Sequence, residues 1–72
     1  MIWAAIYADS AGEKAREICT DWESAQSVLR DFIDVAHPPH SMPTFQRELD
    51  YAVEGAVFHI TDGEHRFAIE HV

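Results

Sequence analysis

The sequence has 72 residues, 47% of them apolar, with 13 Asp/Glu against 5 Lys/Arg and a formal charge of −8. It therefore reads as one small globular domain over 1–72 with a thin burial margin, not as a disordered chain. One cysteine excludes an intramolecular disulfide scaffold and fits a reducing, cytoplasmic setting, while the acidity disfavours direct contact with nucleic-acid or anionic-lipid phosphates.

Residues 2–8, "IWAAIYA", are an apolar run short enough for a strand. They are too short to cross a bilayer and lack a basic flank, so they are read as a strand and not as a signal peptide; no later segment is long enough to span a membrane. Period-two alternation puts Ile2, Ala4 and Ile6 on one side and Trp3, Ala5 and Tyr7 on the other. "DSAGE" supplies turn chemistry, and residues 14–19, "KAREIC", return as a second strand.

"TDWE" is a helix start signal. Thr20 is the expected cap and Glu23, three residues on, the expected capping-box partner. Ala25, Val28, Leu29, Phe32, Ile33 and Ala36 then recur at helical spacing, with Asp31 and Asp34 off the stripe. Pro38 and Pro39 end that helix. A shorter helix is expected over about 43–54, from Phe45, Leu49, Ala52 and Val53, with Gly55 just past its end.

At the other end, Asp62-Gly63 separates two strand-like runs, a hairpin signal. A two-residue loop there pairs Thr61 with Glu64 and Phe58 with Phe67. It puts Ala56, Phe58, Ile60, Phe67 and Ile69 on one face, and Val57, His59, Glu64, Arg66, Ala68 and Glu70 on the other. The expected fold is thus α+β: an antiparallel sheet from N- and C-terminal hairpins, packed in two layers on one long helix plus a short second helix.

Chemical signatures are sparse. "HPPH" at 37–40, with Cys19, His65 or His71, would make a zinc set only if a second closely spaced ligand pair existed. A stiff Pro-Pro elbow carrying solvated imidazoles explains it without a metal. Cys19 sits among acids that raise a thiol pKa, so it reads as a buried apolar residue and not a nucleophile. Neither a nucleophile elbow nor a phosphate loop is present. The expectation is a non-enzyme without a cofactor or metal.

Two surfaces are candidates for binding a basic protein partner. If Ile2, Ala4 and Ile6 face the helix, Trp3 and Tyr7 project outward as aromatic anchors. The same face could serve a homodimer, and the reversed orientation would bury both rings. Asp31 and Asp34 on the first helix, with Glu48, Asp50 and Glu54 on the second, could form a negative ridge if the elbow folds the helices side by side.

This profile (small, acidic, α+β, one cysteine, no catalytic motif) resembles the small acidic proteins of phages and mobile elements, anti-CRISPR proteins in particular. The resemblance covers the whole chain as a type and transfers no residue roles. "TDWESAQSVLRDFI" after a hairpin also resembles antitoxin-type folds. The first resemblance implies an inhibitor that occludes the nucleic-acid-binding surface of a protein complex; the second implies a homodimeric module. A metal-stabilised domain using His37 and His40 is the remaining alternative.

Overall fold

The computed structural model describes residues 2–36, 47–50, 52 and 57–72. Four strands, β1 (Trp3–Asp9), β2 (Gly12–Cys19), β3 (Phe58–Asp62) and β4 (His65–His71), form an antiparallel sheet in the order β2-β1-β4-β3. Helix α1 (Trp22–Ala36) lies across β1, β4 and β2 on one face, and residues 47–50 are helical. This is the two-layer α+β arrangement of hairpins, long helix and short helix that the sequence predicts.

The alternation of β1 decides which face is which. Trp3, Ala5 and Tyr7 point to the helix side, and Ala4, Ile6 and Ala8 away from it. Trp3 is 1% exposed and meets Trp22 edge-on, with ring centroids 4.8 Å apart. It joins Ala25, Leu29, Ile33, Leu49, Ile60, Phe67 and Ile69 in the main core. Trp3 is therefore not the outward anchor that the hydropathy of Ile2 and Ile6 implied; the reversed orientation holds. The physical reason is volume: an indole removes far more apolar area from water than an isoleucine, and edge-on aromatic packing adds about 0.5–1.5 kcal/mol.

Helix α1 follows its stripe. Trp22, Ala25, Leu29 and Ile33 are buried, flanked by half-buried Val28, Phe32 and Ala36. The cap falls one residue later than Thr20: Asp21 Oδ1 accepts from the Ser24 amide at 2.6 Å, and its carbonyl accepts from the Ala25 amide. A carboxylate there also meets the positive end of the helix dipole, which a hydroxyl does not.

Both hairpins have two-residue loops. In the first, Asp9 pairs with Gly12 and its Oδ1 accepts from the Ala11 amide at 2.8 Å. In the second, Asp62 pairs with His65 and Ile60 with Phe67, so the loop is Gly63-Glu64 and not Asp62-Gly63. Gly63, at φ 60°, takes the first central position, where primed hairpin turns need a positive φ. The register differs from the expected one by two residues. A slip of two keeps every side chain on its face, so Phe58, Ile60, Phe67 and Ile69 still face the helix, while Ala56 lies outside the described residues.

At β2 the register shifts where Tyr7 pairs with Ala15 but Ala8 with Glu13, leaving Lys14 as an extra residue. Residues three apart on a regular strand face opposite ways. The bulge instead turns Glu13 to the side of Arg16, and Glu13 Oε1 accepts from Arg16 Nε and a terminal guanidinium nitrogen at 3.0 and 2.8 Å.

Two outcomes follow. Trp3→Ala should lose about 3–5 kcal/mol. A 72-residue chain holds on the order of 4–11 kcal/mol in total, so urea unfolding of this variant should start from a partly unfolded baseline. The hydrogen bonds from Ser24 hold the Asp21 carboxyl below the usual carboxylate range. Its stabilisation is complete above the unfolded value near 3.9 and is lost as pH falls through the lower folded value. Asp21→Asn should keep the cap at neutral pH and flatten that acid limb of the melting-temperature profile; Asp21→Ala should lower the melting temperature throughout.

Candidate interaction surfaces

The predicted acids do not all stand alike. Asp31 and Asp34 are exposed on α1, and Glu48 and Asp50 are exposed on the short helical turn. Glu54 lies outside the described residues, as do His37, Pro38, Pro39 and His40. Two contacts set residues 47–50 beside α1: Gln26 Nε2 donates to the Leu49 carbonyl at 2.8 Å, and the Arg30 guanidinium bonds the Asp50 carboxylate. At about 100° per residue, Asp34 falls one turn after Arg30 on that side of the helix, and Asp31 on its back. Asp50 thus gives its charge to Arg30, while Asp31, Asp34 and Glu48 keep theirs toward solvent.

The last turn of α1 contains no basic residue. Asp34 there opposes the negative end of the helix dipole, an arrangement that lowers stability. Val35 is 79% exposed and lies one turn beyond Asp31. An aliphatic side chain thus stands beside the acidic face.

Tyr7 is half-buried on the inner face. Its ring stacks on Phe67 at 5.1 Å, and its hydroxyl is hydrogen-bonded to His65 Nδ1 at 2.8 Å. Burial, then the charge of Asp9, raises its pKa, so it remains a neutral phenol. Trp3 packs against the His71 ring, tilted by 35° with centroids 4.0 Å apart. The two residues proposed as anchors are therefore packing partners of β4, not free rings. His65 and His71 face the same side but sit at opposite ends of β4, and no cluster of three His, Cys, Asp or Glu among the described residues could hold a metal ion. Cys19 is buried, its pKa raised by burial and by Glu17 and Asp21.

The outer face of the sheet is the surface that sequence reading misassigned. Its floor is small: Ala4, Ile6, Ala8 and Ala68, all nearly inaccessible beneath longer neighbours. Glu13, Arg16, His59, Arg66 and Glu70 rim a depression of about 200 Å³ over that floor. Toward one end of the strands stand the exposed aliphatics Ile2 and Val72 at the centre, Ile18 on the β2 edge and Val57 just ahead of β3 on the other edge. The Val72 amide donates to the Ile2 carbonyl, while Ile18 stands opposite Ala4 and Ala4 opposite Glu70. The signal that could have found this face was in the alternation: Ala4 and Ala8 are the small members of β1, Trp3 and Tyr7 the large ones.

No helix among the described residues is long and apolar enough to cross a membrane. The chain matches no protein-family model, no curated protein and no solved structure.

Two predictions test these placements. Tyr7→Phe should lose about 0.5–1.5 kcal/mol, the net worth of one hydrogen bond, and leave the near-ultraviolet spectrum of the Trp3–Trp22 pair intact. Cys19 should react with a thiol reagent at neutral pH far more slowly in the folded protein than in urea, because the thiolate is both scarce and covered.

Proposed function

We propose that this chain is a non-enzymatic binding module whose helix layer docks on a basic protein surface, and that it inhibits its partner by covering ground otherwise held by a nucleic-acid backbone. The observation that carries this reading is the acidic helix layer. Asp21, Glu23, Asp31, Asp34, Glu48 and Asp50 are exposed along α1 and residues 47–50, against Arg30 and Arg47, and Arg30 is bonded to Asp50.

Such a face speeds encounter with a Lys/Arg-rich groove and rejects phosphate. Asp31, Asp34 and Glu48 are the steering groups; Asp50 orders the turn through Arg30, and Glu54 follows it in sequence. With Trp3 in the core and Tyr7 tied to His65, affinity has to come from elsewhere. Val35, beside Asp31, is the aliphatic contact on this side. The type resemblance to anti-CRISPR proteins is in keeping with this mode of action, and the working compartment proposed is the cytoplasm.

Stability and binding pull against each other at one residue. Asp34→Lys should raise stability by about 0.3–1 kcal/mol, because a cation suits the helix C-terminus. The Asp31→Lys, Asp34→Lys double variant should therefore melt no lower than the parent and yet lose the partner. The measurement is affinity capture from nuclease-treated bacterial lysate, with parent and variant in parallel and a salt gradient for elution. A nucleic-acid-processing complex held by the parent, released at moderate salt and missed by the variant supports the proposal. Equal capture by both, or capture indifferent to salt, refutes it.

A further inference from the structure

The outer face of the sheet differs in charge from the helix layer. Of the five Lys/Arg in the sequence, Lys14, Arg16 and Arg66 belong to β2 and β4. On the outer face Arg16, Arg66 and His59 stand against Glu13 and Glu70, so the signs balance there. A second copy of a chain carrying −8 is repelled by the helix side and meets no such repulsion on this face.

The edges of the sheet are poor docking sites. β2 is bulged at Lys14 and lined by Glu13, Lys14, Arg16 and Glu17, and β3 has only five residues. Both are recognised devices against edge pairing. What remains open is the face, with four exposed aliphatics at one end and an alanine-floored hollow at its centre.

We propose that the outer face of the sheet is a homodimer interface, formed by a second copy related by a two-fold axis parallel to the strands. Sheet order and register make the face self-complementary about that axis. β1 then lies over β4 of the second copy, and β2 over β3. Ile2 meets Val72, Ile18 meets Val57, and Ile6 meets Ala68, each twice by symmetry. Arg66 of each copy comes over the small side chain of Ala8 in the other, toward Glu13, and Glu70 comes over Ala4. Long side chains of one copy thus enter the hollow of the other. An axis perpendicular to the strands does the opposite, setting Ile18 against Arg16 and Val57 against His59. Apolar matching and shape select the same axis.

The size of the face sets the strength. Four strands about 4.8 Å apart and about seven residues long at 3.3 Å each give on the order of 450 Å² in projection. Interfaces of that class lie below the standard size, so the dimer is weak and reversible. It leaves both acidic helix layers on the outside and is independent of the function proposed for them.

The test is sedimentation equilibrium of the full chain between about 5 and about 500 μM, the range that brackets so small an interface. The parent should pass from a mass of 8.2 kDa towards twice that value. Ile18→Lys with Val57→Lys should weaken association at least about tenfold, which is about 1.4 kcal/mol. Val57→Lys alone, outside any strand, should weaken it while melting like the parent, which separates lost association from lost fold. The Asp31→Lys, Asp34→Lys variant should associate as the parent does. A monomeric parent across the whole range overturns the proposal. So does undiminished association of the Ile18/Val57 variant, or association abolished by the helix-face variant.

Discussion

The edge-on contact between Trp3 and Trp22 is the constraint on which the rest of the molecule depends. One indole stands at the start of a central strand, the other in the first turn of the helix. Their contact fastens the helix to the sheet at the point where the chain leaves β2. A chain this short has only one sheet face to bury and one long helix to bury it with. Once Trp3 is committed inward, Ala5 and Tyr7 follow it by alternation, and Ala4, Ile6 and Ala8 are committed outward. The hollow on the outer face is therefore a by-product of the core: the strand spends its large side chains on one side and has small ones left for the other.

The same division sorts the polar surface. The helix layer carries exposed carboxylates with few cations near them, while the outer face of the sheet sets two arginines against two glutamates. Asp34 marks the tension in the first of these, since an anion at the end of a helix works against the fold that displays it. Arg30 and Asp50 show the opposite solution, an ion pair that ties the short helical turn to α1 at the expense of free charge. Acidity in this chain is thus not uniform: some carboxylates are structural, like Asp21 at its cap, and some are merely exposed.

Much of this was legible in the residues. The strands, the long helix with its stripe, the two hairpins and their α+β packing follow from periodicity and turn chemistry, although β2 starts at Gly12, two residues before the expected Lys14. The hairpin register was off by two and the cap by one, because neighbouring residues of similar chemistry compete for each role: Asp62-Gly63 with Gly63-Glu64, Thr20 with Asp21. Such contests are settled by local geometry that no pattern states. The orientation of β1 was harder. Both of its faces are apolar, so hydropathy cannot rank them, and side-chain volume, which can, points to Trp3 and Tyr7. The outer-face patch was invisible for a further reason. Ile2 and Val72 become neighbours only through the strand order, which sets Ile18 on one outer strand and Val57 just ahead of the other.

That strand order has a consequence for how the protein is made. The two central strands, β1 and β4, are the first and last in sequence, so the innermost ladder of the sheet joins the most distant parts of the described chain. Contacts of such separation close slowly. On a ribosome the first hairpin and the helix must wait, with the face around Trp3 incompletely covered, until His65–His71 has emerged. Synthesis that stalls short of β4 leaves β1 and β3 without the strand that lies between them.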